Sequence, residues 1–172
     1  MKHWNTRTIA EAIGIFAVVC SLVFVGLELR QNSVATMAQT NSNIAEEFVE
    51  LNLAMATSAD LARAMTSYTD DPATASPADQ VQILGLWRAL FHTWSNAHRQ
   101  HLSGTLDPAI YASIVQEIST YANAGEGAGA HVNNVKDLSR RKRVMRWAWE
   151  NERFIFNPDF QVFVDGILGV ER

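Results

Sequence analysis

Between Ile13 and Leu27 the chain carries no charge, and only Cys20 and Ser21 interrupt a run of Ile, Phe, Ala, Val, Leu and Gly. Crossing ~30 Å of hydrocarbon takes ~20 residues, so these fifteen need help from their flanks. Extending to Ile9 and Leu29 gives twenty-one residues and admits only Glu11 and Glu28, at edges where a carboxylate can reach the headgroups. Trp4 then stands where an interfacial aromatic anchor belongs. The core of this run is apolar on every face, whereas a helix on the surface of a water-exposed domain shows a stripe. The expectation is one spanning helix over about 9–29 within an anchor over 1–32.

A cleaved secretory signal is the competing reading, because Lys2 and Arg7 resemble its charged start. No small-x-small site with a clean break follows the run. Glu28-Leu29-Arg30-Gln31-Asn32 continues as good helix former, which favours a retained anchor. Cys20 is the single cysteine and lies inside the run, so it informs on no redox compartment.

No Gly or Pro occurs between Leu27 and Pro72, so the helix is expected to continue beyond the membrane, from about Thr8 to Thr57. Along it Val34, Met37, Asn41, Ile44, Phe48, Leu51 and Met55 fall at spacings of three and four. Such a seam requires a facing helix. Later helices of the same chain could cover it. Alternatively two copies could pair there, with Asn41 fixing the register.

The rest, 33–172, reads as a small helical bundle, and no segment alternates with period two. Ser76-Pro77, Asp107-Pro108 and Asn157-Pro158 each place a capping residue before a first-turn proline. Ser58 opens a shorter helix. The Ser76 helix carries Leu84, Trp87, Phe91, Trp94, His98 and His101 and closes at Gly104; the Asp107 helix carries Ile110, Ile114, Ile118 and Tyr121. A glycine-rich loop is expected over roughly Asn123 to Asn134. A helix from about Val144 to Phe154 with Trp147 and Trp149 follows, then a last one burying Phe160, Phe163, Val164 and Ile167. The fold class is therefore all-α: one N-terminal transmembrane helix running into a long amphipathic helix, then a bundle.

Catalytic constellations are sparse. His98 and His101 could share a face with Glu117 or Asp107, but transition-metal sites need three or four converging ligands. Packing of both imidazoles is the plainer reading, and no cofactor is expected. No nucleophile elbow occurs, and Gly125-Glu126-Gly127-Ala128-Gly129 lacks the strand and the Lys-Ser or Lys-Thr of a phosphate loop. An enzyme is not expected.

Arg140, Arg141, Lys142, Arg143 and Arg146 hold five of the fourteen basic residues. Plain solvation explains most such runs. The functional alternatives are anionic headgroups or an acidic partner surface. Nucleic acid ranks behind them, because the nearby aromatics are spaced like core residues rather than interleaved with the bases.

The stretch from Ile13 to Asn32, with its Leu29-Arg30-Gln31-Asn32 exit, resembles the opening of a widespread group of uncharacterised bacterial proteins with one membrane helix. Gln100-His101-Leu102-Ser103-Gly104-Thr105-Leu106-Asp107 is similar to the group's helix-to-helix turn, and Phe156 to Asp165 to its ending. The resemblance covers most of the chain and implies architecture, with no activity. Members carry more bases after Arg30, which would place their helical domain in the cytoplasm; here Ser33 to Thr40 has none. Lys2 and Arg7 against Arg30 alone would place the domain outside. The polybasic stretch tips the expectation to the cytoplasmic side of a bacterial inner membrane.

Together these features point to a non-catalytic accessory or structural subunit that docks on a larger membrane complex, such as a respiratory or photosynthetic one. Its expected partners are membrane lipids and that complex or further copies of itself, with no nucleic acid. The alternative is a self-associating sensor or regulator, with a small apolar ligand enclosed by the Ser76 and Asp107 helices.

Overall fold

The computed structural model describes residues 6–67, 71–122 and 135–170, with side chains from Ile9 in the first helix and from Arg141 in the fifth. The expected loop over 123–134 lies outside the described residues. Among those described the fold is all-α: α1 (Thr6–Thr57), α2 (Ala59–Thr66), α3 (Pro77–Leu102), α4 (Pro108–Ala122), α5 (Val135–Glu152) and α6 (Pro158–Leu168). Two single 3-10 turns, Pro72–Thr74 and Arg153–Ile155, complete the elements.

The chain divides into two compact units, Met1–Gln39 and Thr40–Arg172. The first is the N-terminal part of α1. It contains an eighteen-residue window of mean hydropathy 2.4, none of it buried, and is long and apolar enough to cross a membrane. Phe16, Leu22, Phe24 and Leu29 are all more than 60% exposed and lie around the helix rather than on one stripe. Water around so much apolar surface is unfavourable; hydrocarbon around it is not.

The second unit is a helical bundle whose starts are set by short-range chemistry. Ser58 Oγ accepts the Leu61 N–H at 3.1 Å, Ser76 Oγ the Asp79 N–H at 3.2 Å, and Asn157 Oδ1 the Phe160 N–H at 2.8 Å. Asp107 Oδ1 accepts the Ala109 N–H at 2.7 Å. Each satisfies a donor that the first helical turn leaves open. At the other end of α3, Gly104 adopts φ +73° while Thr105 and Gly104 donate back to the Gln100 and His101 carbonyls. Gly169 ends α6 in the same way at φ +63°. This paired closure uses a left-handed residue, and glycine takes it without a Cβ penalty.

An aromatic cluster fills the centre. Phe91 of α3 packs edge-on against Trp149 of α5 with centroids 5.0 Å apart, and Trp149 meets Phe160 of α6 at 5.8 Å. Trp94, Phe91, Trp149 and Phe160 are fully buried. Polar clamps tie the helices at the margin of this core. Arg88 of α3 donates Nε and Nη2 to the two oxygens of Glu152, both at 2.7 Å. This fork holds the Arg88 guanidinium above its ordinary pKa. Asp165 accepts from Trp149 Nε1 and from Arg153, each at 2.8 Å. Arg63 of α2 pairs with the buried Asp79 carboxylate, which Ser76 also reaches at 2.8 Å. Chiefly through the Ser76 hydrogen bond and then Arg63, against the opposing effect of burial, Asp79 is held below the usual carboxylate range.

The fifth helix differs from the expectation. It begins at Val135, nine residues before the expected Val144, so the polybasic run lies inside the helix. An apolar stripe marks a helix only where the sequence repeats one, and residues 135–143, rich in Lys and Arg, carry no such repeat.

Candidate functional site: seam, pocket and polybasic helix

The seam divides between the two units. Val34 is 64% exposed. Within the bundle Ile44 is buried at 2% exposure, while Asn41, Phe48, Leu51 and Met55 are half-buried, as is Met37 in the first unit. Phe48 and Leu51 pack against the core cluster. Asn41 Oδ1 accepts the backbone N–H of Asp107 at 3.2 Å, across the start of α4. One capability of this polar seam residue is thus used within the chain.

Residues of α1 and α4 together line a pocket of about 350 Å³. From α1 it is lined by Asn41, Ile44, Ala45 and Phe48. From α4 it is lined by Ile110, Ser113, Ile114 and Glu117. Both sets follow the spacing of one helix face. This pocket is lined from α1 and α4 and is distinct from the enclosure by α3 and α4 expected from the sequence. Among the described residues that line it, Glu117 is the one that ionises. Burial raises the Glu117 carboxyl above the usual range; the Trp94 indole of α3 partly offsets this. Trp94 is fully buried, and its N–H makes no hydrogen bond of normal geometry. One turn on, burial, then Glu117, push the Tyr121 hydroxyl up, and Arg141 of α5 acts in the opposite sense.

The histidine pair is engaged in packing. His98 is buried with Nδ1 2.6 Å from Tyr111 Oη, and its ring stacks on Phe163 at 4.5 Å. His101 stacks on the other ring partner, Tyr111, at 3.9 Å and 7° between planes. Burial, then the neighbouring His101, hold His98 below its ordinary pKa, with Asp159 acting the other way. Among the described residues no three His, Cys, Asp or Glu converge as a metal site would require.

The polybasic helix is not uniform. Arg141 and Arg143 are exposed and Lys142 is half-buried, while the Arg140 side chain lies outside the described residues. Arg146 turns inward: its Nη2 donates to the Leu168 carbonyl at 2.7 Å. A cation there meets the negative end of α6. Sequence spacing grouped Arg146 with its neighbours because five bases in seven positions read as one patch. The Arg88–Glu152 clamp has no such local signal, since its partners are sixty-four residues apart.

No family model, curated protein or solved structure matches this chain.

Proposed function

We propose that this chain is a non-catalytic, membrane-anchored accessory subunit of the bacterial inner membrane, in the manner of the single-span group it resembles. Its span and bundle dock on a larger membrane complex, and exposed Arg141 and Arg143 lie toward anionic headgroups or an acidic partner on the cytoplasmic side. The observation that carries this reading is that none of the apolar window of α1 is buried, while the bundle has an aromatic core of its own. Purification of the full chain in mild non-ionic detergent is expected to bring down stoichiometric partners. Recovery of a lone monomer under every mild condition would contradict the reading.

The pocket between α1 and α4 supports a second reading, that the bundle is a sensor or regulator holding a small apolar ligand. Its volume is at the lower end of the ~300–1,000 Å³ common for ligand sites. Saturable quenching of the tryptophans by a small apolar compound is its test.

A further inference from the structure

The α1–α4 pocket is not uniformly apolar. Ile44, Phe48, Ile110 and Ile114 form its walls, and Glu117 stands at one end. Ile110 to Glu117 spans two helical turns, or ~10 Å along α4. Asn41, near the start of α4, marks the other end through its bond to Asp107. The space is that of an extended chain of about six to eight carbons or a single ring with a short arm.

We infer that this pocket binds a small amphipathic ammonium compound, its apolar part against Phe48, Ile110 and Ile114 and its cationic nitrogen on the Glu117 carboxylate. The inference rests on the second reading above and adds a charge requirement to it. A carboxylate at the end of an apolar pocket is costly to ionise unless a cation meets it. None does so among the described residues: the recorded ion pairs engage Asp60, Asp79, Glu152 and Asp165 instead. A neutral apolar ligand would bury the carboxyl further, and an anionic one would be repelled by its ionised form. An ammonium group removes the cost and gains a charge-assisted hydrogen bond.

The surroundings of Glu117 set the pH dependence. On α4 its titratable neighbour is Tyr121, and α5 supplies Arg141 beside that tyrosine. From α3 comes the Trp94 indole, which does not titrate. On α1, Glu47 is held by the Asn96 amide at 3.1 Å. Acidification therefore acts on the pocket through Glu117, protonating it and removing the partner of the ammonium.

The test uses the full chain in non-ionic detergent, titrated with hexylammonium and with hexanol as the neutral analogue of equal length. At about pH 8 hexylammonium is expected to bind roughly tenfold more tightly than hexanol, the increment of one charge-assisted hydrogen bond. E117Q is expected to erase that preference while leaving hexanol unchanged. Because E117Q could disturb folding, the same preference is followed on the unaltered chain, where it should shrink as the pH is lowered toward the ordinary carboxyl value of about 4.5. Equal, saturable binding of both compounds at every pH would overturn the charge requirement and leave the apolar-ligand reading standing. Saturable binding of neither would overturn both.

Discussion

Asn41 of α1 and Asp107, the residue that opens α4, are joined by a side-chain-to-backbone hydrogen bond of 3.2 Å across sixty-six residues of chain. The seam polar residue thereby fixes α4 against α1. Asn41→Ala should cost about 1 kcal/mol, because a partly buried amide loses its acceptor. Thermal unfolding of the full chain in detergent would measure the loss. If Asn41 instead served pairing between copies, the substitution would change the oligomeric state and leave the midpoint of a monomer unmoved.

Burial along the seam predicts a gradient of mutational cost. Ile44→Ala should cost about 2–5 kcal/mol, the range for truncation of a buried aliphatic side chain. Phe48→Ala should cost less than the ~3–5 kcal/mol of a fully buried phenylalanine, since Phe48 is half-buried and borders the pocket. Val34→Ala should be within about 0.5 kcal/mol of neutral in the folding of the bundle. A loss at Val34 equal to that at Ile44 would show that a partner covers Val34.

Buried His98 and half-buried Glu117 make opposite contributions to stability on acidification. His98 is held below its ordinary 6.5, so below that value the unfolded chain takes up a proton that the folded chain resists, and stability falls with pH. Glu117 is raised above 4.5, so the folded chain takes up its proton first, and stability rises as pH falls through that raised range. Comparing thermal midpoints at about pH 7.5 and about pH 4.5, the ordinary carboxyl value, His98→Gln should lessen the acid loss and Glu117→Gln should deepen it. An unchanged slope in both variants would refute the assignment.

The polybasic helix should separate into two kinds of residue. Arg146→Ala is expected to cost about 1.5–3 kcal/mol through its lost bond to the Leu168 carbonyl, as for other hydrogen bonds to charged groups. It should leave affinity for anionic vesicles unchanged. Reversal of charge at Arg141 and Lys142 should do the converse, weakening vesicle binding in a salt-dependent way with little loss of stability. Equal effects of both on vesicle binding would mean that Arg146 reaches the membrane too.

The legible parts of the fold were those with a local cause. Ser76-Pro77 and Asn157-Pro158 mark helix starts because capping is decided within four residues, and both stand where the helices begin. Leu84 to His98 could be read as a buried face because helical spacing repeats along a single element. Glu117 could not be placed from such local rules: its pocket takes residues from both α1 and α4, and its environment depends on Trp94 of a third helix. The same holds for Glu152, whose fork to Arg88 exists only after α3 and α5 have packed. The start of α5 at Val135 has no such local signal, since a stretch rich in Lys and Arg writes no apolar pattern.

Whether α1 holds the chain in a bilayer is tested most directly by washing membranes that contain the full chain with alkaline carbonate. A spanning helix is expected to keep the chain in the membrane pellet, and Leu22→Glu together with Phe24→Glu, at the centre of the exposed apolar window, should release it. Recovery of the unaltered chain in the supernatant would contradict the account, and the apolar window of α1 would then have to be covered by protein.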